Sequence, residues 1–236
     1  MPSTLFVSPS TAAELIANGF PPDNITIIEN SVDTALYTAD PAVVKEPDLL
    51  LYTGRIKRYK NLELLLLALK KLGDQGLRLR LTIAGNGDDQ ERLLKIVQDY
   101  ALSDRVTFLG FVNEQTKIDL YRRSIALVNP SMKEGWGITS IEANACGTAV
   151  IANNVPGLRD SVKDRESGVL FKENDCEDLC LCIRKVATDN ELRKKLERGA
   201  LAWAQSFSWE TSAQRMEQWL QKVVATHGSG RALKSS

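Results

Sequence analysis

Short apolar runs, three to six residues long, alternate along the chain with longer stretches whose apolar positions recur every three or four residues. The runs Ile25–Ile28, Leu49–Thr53, Leu79–Ala84, Val106–Leu109, Ala126–Asn129, Thr148–Ala152 and Val169–Phe171 predict strands. Several are apolar without interruption, the pattern of strands buried on both faces of a parallel sheet. Between them, Asn61–Leu72, Asp89–Tyr100, Glu114–Arg122, Ile138–Cys146, Leu158–Val162 and Asp175–Ala187 predict helices. Two more helices, Asn190–Ser206 and Trp209–Val224, follow without a strand between them. Strand and helix in succession imply right-handed crossovers and an α/β fold with a doubly wound parallel sheet.

Such a sheet binds ligands in the crevice outside the carboxyl ends of its strands, so the loops after the strands hold the candidate chemistry. Leu49–Thr53 is followed by Gly54-Arg55-Ile56-Lys57-Arg58-Tyr59-Lys60-Asn61, with four cations in six residues. An anion there meets Arg55, Lys60 and backbone amides together, which suits a phosphate or diphosphate; the alternative is a solvated basic turn. Gly85-Asn86-Gly87 has Gln90 where a dinucleotide fingerprint needs a third glycine, so it reads chiefly as a turn with the ligand close by.

The most informative stretch runs from Glu134 to Gly147. Gly135 and Gly137 keep Glu134 on a loop, while Ile138–Cys146 has helical spacing and stops at Gly147. The amides near Gly137, Ile138 and Thr139 then form a helix N-terminus facing the crevice, and Glu142 lies about one turn inside. Two carboxylates could suggest a glycosidase-like pair; on one continuous helix their backbones would lie about 12 Å apart, so the loop that holds Glu134 must set their real separation. A divided task fits better: one carboxylate near a reacting group, one on a diol, and a phosphate between them. The plain alternative is a capping glutamate beside a surface glutamate.

Composition narrows the class. The chain has 236 residues, 30 Lys+Arg against 30 Asp+Glu, 43% hydrophobic and 25% charged residues. These values describe an ordinary globular protein and argue against one that grips nucleic acid through phosphates. No apolar stretch reaches the roughly 18–20 residues of a membrane span, and the N-terminus lacks a secretory pattern. A cytoplasmic protein is expected, with membrane contact at most peripheral at the inner face. Cys146, Cys176, Cys180 and Cys182 fit reduced, partly buried helix positions better than a metal or redox site, because the one histidine, His227, lies in a polar tail.

An ordered series then stands out: Asn30-Ser31-Val32-Asp33, Gly54-Arg55 with Lys60, Leu81 through Gly87, Phe108-Leu109-Gly110-Phe111-Val112, Pro130-Ser131, Glu134 with seven residues to Glu142, and Val155-Pro156-Gly157. It resembles the C-terminal, donor-binding half of the family 4 (group 1) glycosyltransferases of the GT-B fold. The resemblance runs from about Ser8 to Trp219 and implies a Rossmann-like domain. It implies that Arg55 and Lys60 hold the diphosphate of a nucleotide sugar, that Glu134 lies beside the donor sugar, and that Glu142 accepts from the ribose hydroxyls. The Gly137, Ile138 and Thr139 amides would meet the distal phosphate and the backbone near Phe111 and Val112 the base. Gly54, Gly85, Gly87, Gly135 and Trp136 would complete the donor site. Arg55, Lys60 and Glu134 would be the catalytic set. The family is generally retaining and metal-free, so the resemblance implies no cofactor beyond the donor substrate.

Three positions depart from the family pattern: Ser31 and Asn61 replace common glycines, and Trp136 stands where Phe is frequent. The resemblance also implies a layout in which residues 1–29 end an N-terminal lobe, 30–205 form the nucleotide-sugar domain, 206–225 cross back as a helix, and 226–236 are a mobile tail. An N-terminal acceptor lobe, in cis or in trans, would then complete a cleft for a glycan or lipid-linked acceptor. Two competing readings are a non-catalytic nucleotide-sugar-binding module or truncated remnant, and an NAD-dependent Rossmann enzyme; the incomplete glycine fingerprint disfavours the latter.

Overall fold

The structure, a computed structural model, describes residues 4–228. The chain opens on a small parallel sheet in which β1 (Thr4–Phe6) pairs with β2 (Ile25–Ile27) after the helix α1 (Pro9–Ala17). Six further strands, β3 (Leu49–Thr53), β4 (Arg80–Ala84), β5 (Val106–Gly110), β6 (Ala126–Asn129), β7 (Ala149–Asn153) and β8 (Gly168–Phe171), form a second, wholly parallel sheet. Its spatial order is β5-β4-β3-β6-β7-β8, so the winding reverses between β3 and β6, the topological switch point of a Rossmann-like sheet.

Helices cover both faces of this sheet. In chain order they are α2 (Leu62–Asp74), α3 (Gln90–Asp99), α4 (Glu114–Arg123), α5 (Ile138–Ala145), α6 (Leu158–Ser161), α7 (Cys176–Thr188), α8 (Asn190–Ala204) and α9 (Trp209–Gly228). Successive side chains of β3 alternate faces: Leu50 and Tyr52 join a core with Leu65, Leu69 and Ile183, whereas Leu51 joins one with Tyr121, Ile141 and Val150. Burial on both sides is why β3, β6 and β7 show no polar alternation. Polar caps fix where helices start: Asn113 Oδ1 accepts from the Thr116 amide at 2.8 Å, and Asp175 and Asp189 cap α7 and α8.

The predicted elements form within two residues at each end, with instructive exceptions. The run from Ile25 pairs with β1 and not with the main sheet. Ser8 is the N-cap of α1, its Oγ accepting from the Thr11 amide at 3.2 Å. Asn61, predicted inside α2, precedes it with left-handed φ and ψ of 55° and 36°. The last helix runs on to Gly228, into the segment expected to be mobile, and residues 229–236 lie outside the described residues. No helix among the described residues is long and apolar enough to cross a membrane.

Pairing is uneven across the switch point. β3 and β4 stay in register over five pairs, to Thr53 opposite Ala84, but β3 meets β6 only at Leu50–Ala126 and Leu51–Leu127. The carboxyl-end halves of β3 and β6 therefore part and open a crevice. The loop after β3 instead stays on the loop after β4, with the Gly54 amide on Ala84 O at 3.0 Å and the Ile56 amide on Asn86 O at 2.9 Å. Backbone approaches so closely there that a Cβ on Gly85 would lie 1.9 Å from Gly54 O, and one on Gly87 1.8 Å from Ile56 O. Gly87→Ala is therefore expected to cost about 1–3 kcal/mol by overpacking and to lower the melting temperature on the order of 5 °C. Calorimetry on the purified chain measures it, and an unchanged transition would mean that the two loops do not depend on this contact.

Candidate functional site

A cavity of about 470 Å³ lies at the carboxyl ends of β3 and β4, on the side where β3 parts from β6. The loop after β3 supplies Gly54 and Arg55 to its wall, the loop after β4 supplies Gly85 and Asn86, and α5 supplies Ile138, Thr139 and Glu142. Phe111 and Val112 follow β5 on the same wall, and Phe111 is 83% exposed. Eight of the sequence-predicted positions thus meet in one place.

Arg55 reaches the cavity on a backbone held by Tyr52, whose buried hydroxyl donates to Arg55 O at 2.8 Å. Its guanidinium donates to the Tyr59 hydroxyl at 3.0 Å and, among the described residues, pairs with no carboxylate. The other cations of the turn differ. Lys57 pairs with Asp88 at 2.8 Å, and Arg58 reaches Asp89 only at 3.9 Å. Lys60 forms an ion pair with Glu134, with only 11% and 16% of the two side chains exposed. A simple solvated basic face does not bury a cation in this way.

Lys60 and Glu134 are brought together by loop docking. The Met132 amide donates to Tyr59 O at 2.9 Å, and Asn153 Nδ2 donates to Ser131 O at 3.1 Å. Gly157 completes the fit, because a Cβ there would lie 2.3 Å from Glu134 O. The Val155-Pro156-Gly157 signature therefore seats the backbone that carries Glu134. Asn61 shapes the other side: its left-handed conformation is open to glycine and, more than to most residues, to asparagine. Ser31 has no positive φ, so that substitution adds no left-handed strain.

Glu142 is buried and fully engaged on its protein side. Lys117 donates to one carboxylate oxygen at 3.2 Å and the Tyr121 hydroxyl to the other at 2.8 Å. Thr53 Oγ1 lies 2.8 Å from the Tyr121 hydroxyl, whose single proton goes to Glu142, so Thr53 donates in turn. Burial raises the Glu142 carboxyl above its ordinary range, while Lys117 and Tyr121 oppose the rise. Burial pulls the Lys117 ammonium down, but Glu114 and Glu142 outweigh it and leave its pKa raised.

Other predicted positions lie outside the cavity wall. Gly87 serves loop packing, and Gly137 adopts φ 85° to start α5 against Leu158. Trp136 is buried against Phe207 at a centroid distance of 5.2 Å, so it packs in the core and does not wall the cavity. The four cysteines are free thiols, and burial pushes Cys146 and Cys180 up to about 12. Among the described residues no group of three or more His, Cys, Asp or Glu is arranged to hold a metal ion. A larger cavity, about 650 Å³, lies between the small sheet and α9 and is lined mainly by apolar groups such as Leu5, Phe6, Val7 and Met216.

Residues 34–203 match the family described as glycosyl transferases group 1. The chain belongs to this family. It is 34% identical over 209 residues to a D-inositol 3-phosphate glycosyltransferase of Frankia alni, covering 81% of this chain and 51% of that protein. A protein of the same description from Saccharomonospora viridis is 37% identical over 169 residues, covering 68% and 39%. The chain thus spans about half the length of the curated relatives it matches. Among solved structures, a sucrose-phosphate synthase of Thermosynechococcus elongatus superposes with a TM-score of 0.84 at 28% identity, covering 94% of this chain and 58% of that one. The Anabaena protein HepE, solved with UDP and glucose, superposes with a TM-score of 0.82 at 21% identity, covering 93% and 63%. These neighbours share the GT-B glycosyltransferase fold expected from the motif series.

Thr53, Glu114 and Lys117 line the cavity, although nothing in the sequence marks them as site residues. Glu114-x-x-Lys117 is an ordinary surface pair in one dimension, and only the packing of α4 beside α5 turns it toward Glu142. The geometry at Asn61 yields a direct test. Asn61→Gly should keep the melting temperature close to that of the parent, whereas Asn61→Val should lose roughly 1–2 kcal/mol through left-handed strain. Equal stability in both would show that the turn relaxes out of this conformation.

Proposed function

We propose that this chain is the donor-binding half of a retaining glycosyltransferase that moves a sugar from a nucleotide diphosphate sugar to a glycan or lipid-linked acceptor. The observation that carries the reading is the convergence of Arg55, the start of α5, buried Glu142 and exposed Phe111 on one cavity. Retention of configuration is proposed from the family resemblance.

The diphosphate lies between the basic turn and the α5 N-terminus, where free amides and the helix dipole favour anions. Backbone at Phe111 and Val112 meets the base, and Glu142 accepts from the ribose diol. Glu134 faces the donor sugar. As the bond between the anomeric carbon and the phosphate oxygen breaks, its electron pair stays on the diphosphate. Arg55, Lys60 and the α5 amides oppose that growing charge, the electrostatic task that a metal performs in other transferases. The Lys60–Glu134 ion pair supports this division, because it sets the phosphate-facing cation beside the sugar-facing carboxylate.

For configuration to be retained, the acceptor hydroxyl bonds to the anomeric carbon on the face that the diphosphate leaves and gives its proton to the departing phosphate oxygen, so transfer further requires an acceptor held on that face and water excluded. We assign both tasks to an N-terminal lobe, in the same polypeptide or a partner, closing over the cavity. The apolar cavity between β1, β2 and α9, with Val7 38% and Trp209 61% exposed beside it, supports such a covering surface. Four free cysteines support a cytoplasmic setting.

Isothermal titration of the purified chain with UDP, ADP and GDP, their nucleosides and their glucose conjugates, in the presence of a chelator, tests the proposal. Arg55→Ala and Lys60→Ala should each weaken diphosphate binding by roughly 10- to 150-fold and leave nucleoside binding nearly unchanged. Glu134→Ala should spare the nucleoside diphosphates but weaken the sugar nucleotide. Unchanged diphosphate affinity in both cation variants would reduce the basic turn to a solvated face and overturn the donor assignment.

A further inference from the structure

Lys117 is the one cation of α4 that reaches Glu142. Its Nζ sits 3.2 Å from Glu142 Oε1 and 2.8 Å from Glu114 Oε1, above the Tyr37 ring at 5.1 Å. Tyr37 in turn donates its hydroxyl to Glu114. The ammonium is thus bracketed by two carboxylates and an aromatic face, with 21% of its side chain exposed. Lys117, Glu114 and Glu142 all line the 470 Å³ cavity. A lysine serving only as a solubilising surface charge would point away from it.

We propose that Lys117 is a positioning residue for nucleotide binding, clamping the Glu142 carboxylate from the α4 side so that its remaining lone pairs take both hydroxyls of a ribose. The inference rests on the reading of the cavity as a nucleotide-sugar site. Each carboxylate oxygen already accepts one protein hydrogen bond, from Lys117 or from Tyr121, and each keeps a further lone pair for a ligand. A protonated carboxyl loses half of that acceptor geometry. Without Lys117, Glu114 and Glu142 would face one cavity with no cation between them, and like charges make the buried member take up a proton.

The groups that set the charge of Glu142 are few. From α4 come Lys117, Glu114 and Tyr121, with Lys117 favouring the carboxylate and Glu114 opposing it. Burial keeps Tyr121 protonated, so it remains a donor. Just past the end of α5, burial raises Cys146 to about 12 and keeps it a neutral thiol. β3 contributes only Thr53, which does not titrate, and Arg55 lines the same cavity from the loop beyond it. The sign follows: protonation of Glu142 weakens its diol contact as the pH falls, and removing Lys117 moves that loss to higher pH.

The experiment titrates UDP, ADP and GDP, each beside its 2′,3′-dideoxy counterpart, into the full chain from pH 5 to pH 9. The preference for the ribonucleotide is read against pH, which cancels the ionisation of the diphosphate. Lys117→Met should raise the midpoint at which the preference is lost by about 1–3 pH units, and Lys117→Arg should restore it. Glu114→Gln, which removes the opposing charge, should shift the midpoint the other way. A parental midpoint in both Lys117→Met and Glu114→Gln, with the preference intact, overturns the proposal. If Lys117→Met does not fold, an unmoved midpoint in Glu114→Gln overturns it alone. Loss of the preference in the unmodified chain, or no binding of any nucleotide, would overturn the cavity reading itself and this inference with it.

Discussion

The early parting of β3 from β6 is the feature on which the rest of the site depends. A parallel sheet that changes winding direction must leave a gap at one edge, because the connections on either side run to opposite faces. Here the two strands share only two register pairs, although each remains in longer register with its outer neighbour. Beyond the gap the loops dock on their neighbours. The loop after β3 leans on the loop after β4, and the loop after β6 leans on the turn at Tyr59. Arg55, Lys60 and Glu134 are carried on these docked loops and Glu142 on the helix that follows the last of them, while Glu114 and Lys117 come from α4.

The glycines of these loops therefore do two kinds of work. Gly85, Gly87 and Gly157 allow backbone to approach backbone, and each would place a Cβ within 2.3 Å of a carbonyl oxygen. Gly54 and Gly85 also have positive φ, and both line the cavity. Electrostatics follows the same frame. Lys60 and Glu134 face each other across two docked loops, whereas Lys117 and Glu142 face each other across two packed helices. The cavity thus has a cationic end at Arg55 and a balanced end at Glu142. A diphosphate and a neutral diol differ in the same sense.

Much of this was legible in one dimension. Strand positions, the two-faced burial of β3, β6 and β7, and the order of the loops follow from uninterrupted apolar runs and helical periodicity. Arg55, Glu142 and the start of α5 could be placed together because each follows or flanks a strand end. What escaped was lateral. The resemblance put Trp136 in the donor site, yet it turns inward to Phe207 because α8 brings an aromatic cluster under that loop. Lys117, Glu114 and Tyr121 looked like ordinary helix residues, and their meeting with Glu142 depends on which faces of α4 and α5 touch. The run at Ile25 has a strand pattern, but nothing in its residues assigns it to the small sheet instead of the large one.

Membership of the group 1 glycosyl transferases accounts for the motif series, and the parted sheet accounts for why those motifs converge. Hydrogen–deuterium exchange, with and without whichever of UDP, ADP and GDP binds, tests that convergence most directly. Slowed exchange is expected at residues 54–61, 85–87, 111–112 and 138–142 around the 470 Å³ cavity, with residues 5–7, 28–31 and 209–216 around the larger apolar cavity unchanged. Protection centred on the apolar cavity, or none at 54–61 and 138–142, would contradict a nucleotide site built on the parting of β3 and β6.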